Sequence, residues 1–175
     1  MNAIEMPVGF EDYVSYTELD PGQLIRNGQL VSREIYSDFE CQIMAHKVFE
    51  KPIRVHFSNC DPAGIVFHPQ YFVLINELME DFLEDVAGVG FIEIRRYGVG
   101  FPVVSVKTQF TKPSRPSDRL MGQVWVEKIG DKSIRFAFVL KDEAEERLRC
   151  VETSVCVKLT SDDQFVSWKI PAKYP

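Results

Sequence analysis

The stretch PIRVHFSNCDPAGIVFHPQYFVLINELMEDFLEDVAG, residues 52–88, carries the strongest structural signal in the chain. PIRVHFS (52–58) reads as a strand and NCDPAG (59–64) as a short loop. From Pro69 to Val86 the apolar residues Phe72, Ile75, Met79, Phe82, Leu83 and Val86 recur every three or four positions, the spacing of one helical face. Glu77, Glu80, Asp81, Glu84 and Asp85 lie mostly off that stripe. Pro69 suits a first helical turn, where no amide donor is needed, and Gly88 suits the stop.

Downstream the period changes to two. PVVSVKTQF (102–110), RLMGQVWVEKI (119–129), SIRFAFVLK (133–141) and RLRCVETSVCVKL (147–159) read as strands, with turns at Gly130-Asp131 and Asp142–Glu146. One strand, one long helix and four further strands predict an α+β domain, a five-stranded antiparallel sheet wrapped around the helix, over residues 46–175. The uncovered face or edges of such a sheet call for a homodimer or homotetramer. Residues 1–45 form an N-terminal extension of weak periodicity. Within it LIRNGQLV places Asn27-Gly28 between short apolar runs, a two-residue hairpin signal.

Composition narrows the function classes. Of 175 residues, 45% are hydrophobic and 26% charged, as in ordinary globular chains. No run approaches the ~18 apolar residues of a membrane span. The opening MNAIEMPVGFEDY has neither a basic region nor an apolar core, so no secretory signal is expected. Cys41, Cys60, Cys150 and Cys156 stand apart, without metal-ligand spacing, which fits buried thiols in a reducing cytoplasm and no metal site. The net charge is −6, and residues 1–45, with eight acidic and two basic side chains, account for all of it. An acidic chain is not expected to bind nucleic acid. One local basic stretch, Lys107, Lys112, Arg115 and Arg119, would attract a phosphorylated small ligand or simply be solvated.

The chemistry is expected at the junction CDPAGIVFHPQYF (60–72). Asp61 lies just before a helix whose first amides have no intrahelical partners. Those amides and the helix dipole favour negative charge. A thioester carbonyl oxygen could rest there while its carbon faces the carboxylate. Gly64 would let the backbone approach a ligand. The competing reading is that Asp61 caps a turn that Pro-Ala-Gly only shapes.

VHFSNCDPAGIVFHPQYF (55–72) resembles the signature of the 4-hydroxybenzoyl-CoA thioesterase family, with D-x-x-G-x-V after the first strand and an aromatic residue or His before the helix. GFPVVSVKTQF, GDKSIRF and FVSWKIPAKY resemble later segments of that family, so the likeness covers roughly 50–174. It implies the hotdog fold, hydrolysis of an acyl-CoA or acyl-carrier-protein thioester, active sites at a dimer interface, and no cofactor beyond the coenzyme A of the substrate. It implies Asp61 as catalytic nucleophile or general base, and a carbonyl-holding amide at His68, whose side chain would contact water or the leaving group or make only a structural hydrogen bond. Gly64 would border the thioester. Lys132 and Ser133 match a Lys-Ser pair that contacts CoA phosphates, although a plain hairpin turn explains them nearly as well.

Two departures stand out. Phe57 replaces the Tyr of the Tol-Pal-associated branch, and only Lys169 stands where aryl-specific members carry arginines, leaving Lys112 or Arg115 to assist with phosphate. Glu77 could act as the helical carboxylate of a second subgroup or belong to a solvated face. A hotdog enoyl-CoA hydratase and a non-catalytic acyl-CoA-binding module are the alternatives. The former's usual Gly-Asp and Asn-Pro before the His are missing from CDPAGIVFHP.

Overall fold

The computed structural model describes residues 24–26, 29–31, 48–86, 88–96, 98–143, 145–160 and 164–170. Its centre is helix α1, His68–Asp85. The buried stripe is Tyr71, Leu74, Ile75, Leu78, Met79, Phe82 and Leu83. The expected stripe is therefore displaced: Phe72 and Val86 lie at its margins, partly buried against the core.

Five strands carry the helix: β3 (Phe49–Arg54), β5 (Val103–Phe110), β6 (Arg119–Ile129), β7 (Ser133–Asp142) and β8 (Glu145–Val155). They pair antiparallel in the order β3-β6-β7-β8-β5. Alternation puts Leu120 and Val124 of β6, Phe136, Phe138 and Leu140 of β7, and Leu148 and Cys150 of β8 in one core with α1. Phe82 is fully buried there, and burying such a side chain stabilises by about 1.5–3 kcal/mol. Gly122 lets β6 pass close beneath the helix: a Cβ there would lie 2.6 Å from Ile53 Cδ1 and 3.0 Å from Leu78 Cδ2.

Several boundaries differ from expectation for physical reasons. The first strand ends at Arg54, and Phe57–Asn59 form a 3-10 turn. Val55 leaves the ladder to donate to Asp118 O and accept from Ser117 N–H, each at 2.9 Å. The segment 147–159 is two strands, β8 and β9 (Val157–Leu159). At Cys156 the chain turns away: its N–H donates to Lys132 O and its carbonyl accepts from Trp168 N–H, both at 2.8 Å. Strand β9 then joins β10 (Phe165–Ser167) and β4 (Val99–Gly100) in a small second sheet. A short helix α2, Phe91–Arg96, was not expected, since six residues are too few to display a period.

In the extension, β1 (Leu24–Arg26) pairs antiparallel with β2 (Gln29–Val31), Arg26 opposite Gln29. Asn27 and Gly28 themselves, and most of residues 1–45, lie outside the described residues. No helix among the described residues is long and apolar enough to cross a membrane.

Candidate active site

The loop bearing Asp61 is a small closed turn. Cys60 and Val66 form an isolated antiparallel bridge. Within it Asp61 N–H donates to Ile65 O at 3.0 Å, and Gly64 N–H donates to Asp61 O at 2.9 Å. The carboxylate Oδ1 accepts from Ala63 N–H at 2.8 Å. Asp61 therefore does cap its own turn, and that leaves Oδ2 without a partner among the described residues. Gly64 has φ +74° and open space where a Cβ would be. The glycine is thus required by the left-handed turn, and the space beside it is free.

Three neighbours fix this loop against the helix start. Asn59 is nearly buried; its Oδ1 accepts from His56 N–H at 2.8 Å and its Nδ2 donates to Gln70 Oε1 at 3.1 Å. Phe67 N–H donates to Asn59 O at 2.9 Å. From the other side, Ser114 O accepts from Val66 N–H at 2.9 Å, while Ser114 N–H donates to the Tyr71 hydroxyl at 3.1 Å. Arg147 holds the same 111–118 loop by donating to Pro113 O at 2.9 Å. The sequence reading missed Asn59, Tyr71 and Ser114, whose value lies in contacts between segments.

His68 is the first residue of α1 and is exposed, its ring edge-on to Phe67 at 5.1 Å. Its amide has no hydrogen-bond partner among the described residues, and Pro69 after it has no amide hydrogen at all. The start of α1 thus presents a single open donor on its first two positions, on the same side of the fold as Asp61. Burial first, and Asp61 and Asp118 second, push the thiol of Cys60, beside the carboxylate, up, which lowers its thiolate fraction.

Lys132 and Ser133 lie elsewhere. They belong to the β6–β7 turn, where Gly130 N–H donates to Ser133 O at 2.7 Å. Asp61 neighbours the opposite end of β6, which spans 11 residues, or roughly 35 Å at ~3.3 Å each. One chain does not bring the two together. Of the other basic candidates, Lys112 is paired with Glu145 and Lys169 lies 3.6 Å from Asp131, whereas Arg115 is exposed and its guanidinium has no partner among the described residues. Glu77 is solvent-exposed on α1.

The end of the sheet that holds Lys132 also holds a cavity of about 90 Å³. Its apolar wall includes Met79, Leu83, Phe91 and Phe136, and its polar groups are Asn76, Glu152 and Ser154. Burial pushes the Glu152 carboxyl above the usual carboxylate range. Its signal was present in the strand: Leu148, Cys150, Glu152 and Ser154 share one face by alternation, so a carboxylate falls on the core side.

A long helix on an antiparallel sheet, with a carboxylate loop locked to the helix start, defines a hotdog-type thioester hydrolase. The chain belongs to the thioesterase-like superfamily, whose profile matches residues 55–171. It is 25% identical over 124 residues to a 1,4-dihydroxy-2-naphthoyl-CoA hydrolase of Nostoc punctiforme, covering 65% of this chain and 81% of that one. A hydrolase of the same name from Thermosynechococcus vestitus is 24% identical over 110 residues, covering 60% and 73%. The solved structure of a gentisyl-coenzyme A thioesterase superposes with a TM-score of 0.62 at 26% identity, covering 72% of this chain and 97% of that one.

Proposed function

We propose that this chain hydrolyses an acyl-CoA thioester to a free acid and coenzyme A, with Asp61 as the reacting carboxylate. The observation that carries this is the state of Asp61: one oxygen held by Ala63 N–H, the other open, on a loop tied to a helix start whose first amide is also open. The carbonyl oxygen accepts from the His68 amide, which stabilises the charge that develops on it. Asp61 then either attacks the carbonyl carbon, expelling the CoA thiolate and leaving an anhydride that water cleaves, or takes a proton from the attacking water. In both routes the carboxylate is regenerated and the thiol leaves with a proton from water. No metal or separate cofactor takes part. The names of the relatives support a CoA thioester over an acyl-carrier one. The free thiols Cys60, Cys150 and Cys156 support a reducing, cytoplasmic setting.

The working unit is a homodimer formed through β5, and a homotetramer would join two such dimers by other surfaces. Strand β5 is the sheet edge, with Val104, Val106 and Phe110 about half exposed. An unpaired apolar edge is covered most simply by its own copy, antiparallel across a two-fold axis. The Phe110 end of β5 touches the start of α1, with Tyr71 at 5.6 Å and Phe72 at 6.5 Å between ring centres. The Val103 end borders the cavity. Antiparallel pairing therefore sets Asp61 of one protomer beside the cavity, Lys132 and Ser133 of the other, which answers their separation within one chain. In this arrangement Lys132 and Ser133 contact the CoA phosphates.

A panel of short-chain, long-chain and aryl acyl-CoAs, followed by thiol release, tests the activity. Release from at least one class, with no hydration of crotonyl-CoA, is expected. Thiol release from none would overturn the reading.

A further inference from the structure

Two buried side-chain polar atoms among the described residues lack a protein partner: Ser114 Oγ and Arg147 Nε. Both border the loop that braces Asp61. Arg147 donates to Pro113 O at 2.9 Å, the carbonyl just before Ser114, and to Asp142 Oδ2 at 2.9 Å. Its backbone is paired to the same loop, since Thr111 N–H donates to Arg147 O at 3.0 Å. Ser114 is fully buried, with its N–H given to Tyr71 and its carbonyl held by Val66 N–H. A hydroxyl left unmet in such a place is costly, and alanine would sit there at less expense. The Tyr71 hydroxyl accepts from Ser114 N–H at 3.1 Å and so keeps its own hydrogen to give. A serine hydroxyl, a guanidinium edge and a tyrosine O–H thus gather around one short piece of backbone. That is the number of polar partners a buried water takes.

We propose that Ser114 and Arg147 hold one buried water between them, and that Ser114 is thereby a positioning residue for Asp61. The water accepts from Arg147 Nε–H and donates to Ser114 Oγ, with the Tyr71 hydroxyl as third partner. Ser114 O holds Val66, Val66 bridges Cys60, and Cys60 precedes Asp61. At the other end Arg147 is anchored on Asp142, beside the turn from β7 to β8. The water therefore passes the stiffness of the sheet to the loop that carries the carboxylate. The role of Ser114 rests on the acyl-CoA reading of Asp61; the water does not.

A high-resolution crystal structure of the full wild-type chain should show a water within about 3.2 Å of both Ser114 Oγ and Arg147 Nε. A map empty between them overturns the proposal. Ser114→Ala should lower the thermal midpoint by about 2–4 °C, because it strands the water and the guanidinium edge. A higher midpoint would mean that the hydroxyl was merely unmet, and would overturn the bridge. Arg147→Lys keeps a positive charge facing Asp142 and removes Nε. The double variant should lose clearly less than the sum of the two single losses, and simple additivity refutes a shared water. Positioning is read well below these midpoints. There Ser114→Ala should lower kcat for the best acyl-CoA at least about fivefold, with KM within about twofold of wild type. An unchanged kcat makes the water structural only and overturns the role of Ser114. Thiol release from no acyl-CoA by wild type defeats the functional reading and the positioning role with it, while the map and the midpoints still decide the water.

Discussion

The two ends of the five-stranded sheet are built on opposite principles. At the Asp61 end the side chains of Asn59 and Tyr71 and the backbone of Ser114 lock one loop to a helix start, and nearly every polar group is spoken for. Open there among the described residues are one carboxylate oxygen, the His68 amide and the buried Ser114 hydroxyl. At the Glu152 end the wall is mostly apolar, and of its polar groups Asn76, Glu152 and Ser154 the Glu152 carboxylate has only the Cys150 thiol, 4.0 Å away, as a recorded side-chain partner. The first arrangement suits chemistry, which depends on fixed geometry. The second suits selection, because a mostly apolar wall admits acyl groups according to their fit. Since a β5 dimer would join unlike ends, rate and preference are expected to be separable by mutation.

The sharpest break of that comparison is His68→Pro. Phe67 is already extended (φ −64°, ψ 125°), as a residue before proline requires, and proline fits a first helical position. The substitution removes the open amide together with the imidazole, and kcat should fall about 10²–10³-fold for every substrate. His68→Ala, which keeps the amide, should lose less than about tenfold. Equal losses in the two variants would move the role from the backbone to the imidazole.

Tyr71→Phe comes next. It strands the Ser114 N–H in a buried place at a cost of about 1–3 kcal/mol, and thermal unfolding should drop by about 2–4 °C per kcal/mol. Because the clamp is at the chemical end, kcat should fall with it while the ratio between aryl and short-chain substrates holds. Gly64→Ala is the mildest: the left-handed φ of +74° costs a Cβ about 1–2 kcal/mol, again read by thermal unfolding and again without a change in preference. A changed substrate ratio in either variant would mean that the ends are not independent. Light scattering offers a separate check, with twice or four times the 20.1 kDa chain mass expected. A monomer would leave Asp61 and the cavity apart.

Much of this architecture was legible in the residues, and what was hidden has a common cause. Helix α1 showed itself because seven buried positions repeat at helical spacing; the assigned stripe slipped by including Phe72 and Val86, apolar residues that lie only at its edge. The strands β5 to β8 were legible through alternation. Asp61 and Gly64 stood out through a compact motif, but its locking partners could not, since Asn59 with Gln70 and Ser114 with Tyr71 join segments 11 and 43 residues apart. Glu152 sat in plain view on the inward register of β8, and only the cavity around it gave that placement meaning.

The most direct test of the catalytic assignment is Asp61→Asn. The amide Oδ1 still accepts from Ala63 N–H, so the turn is kept and only the charge is lost. Thiol release from the best acyl-CoA should fall by at least about 10²-fold with an unchanged circular dichroism spectrum, as expected on losing a nucleophile or general base. A rate within about threefold of wild type would contradict the account and leave Asp61 as a turn cap alone.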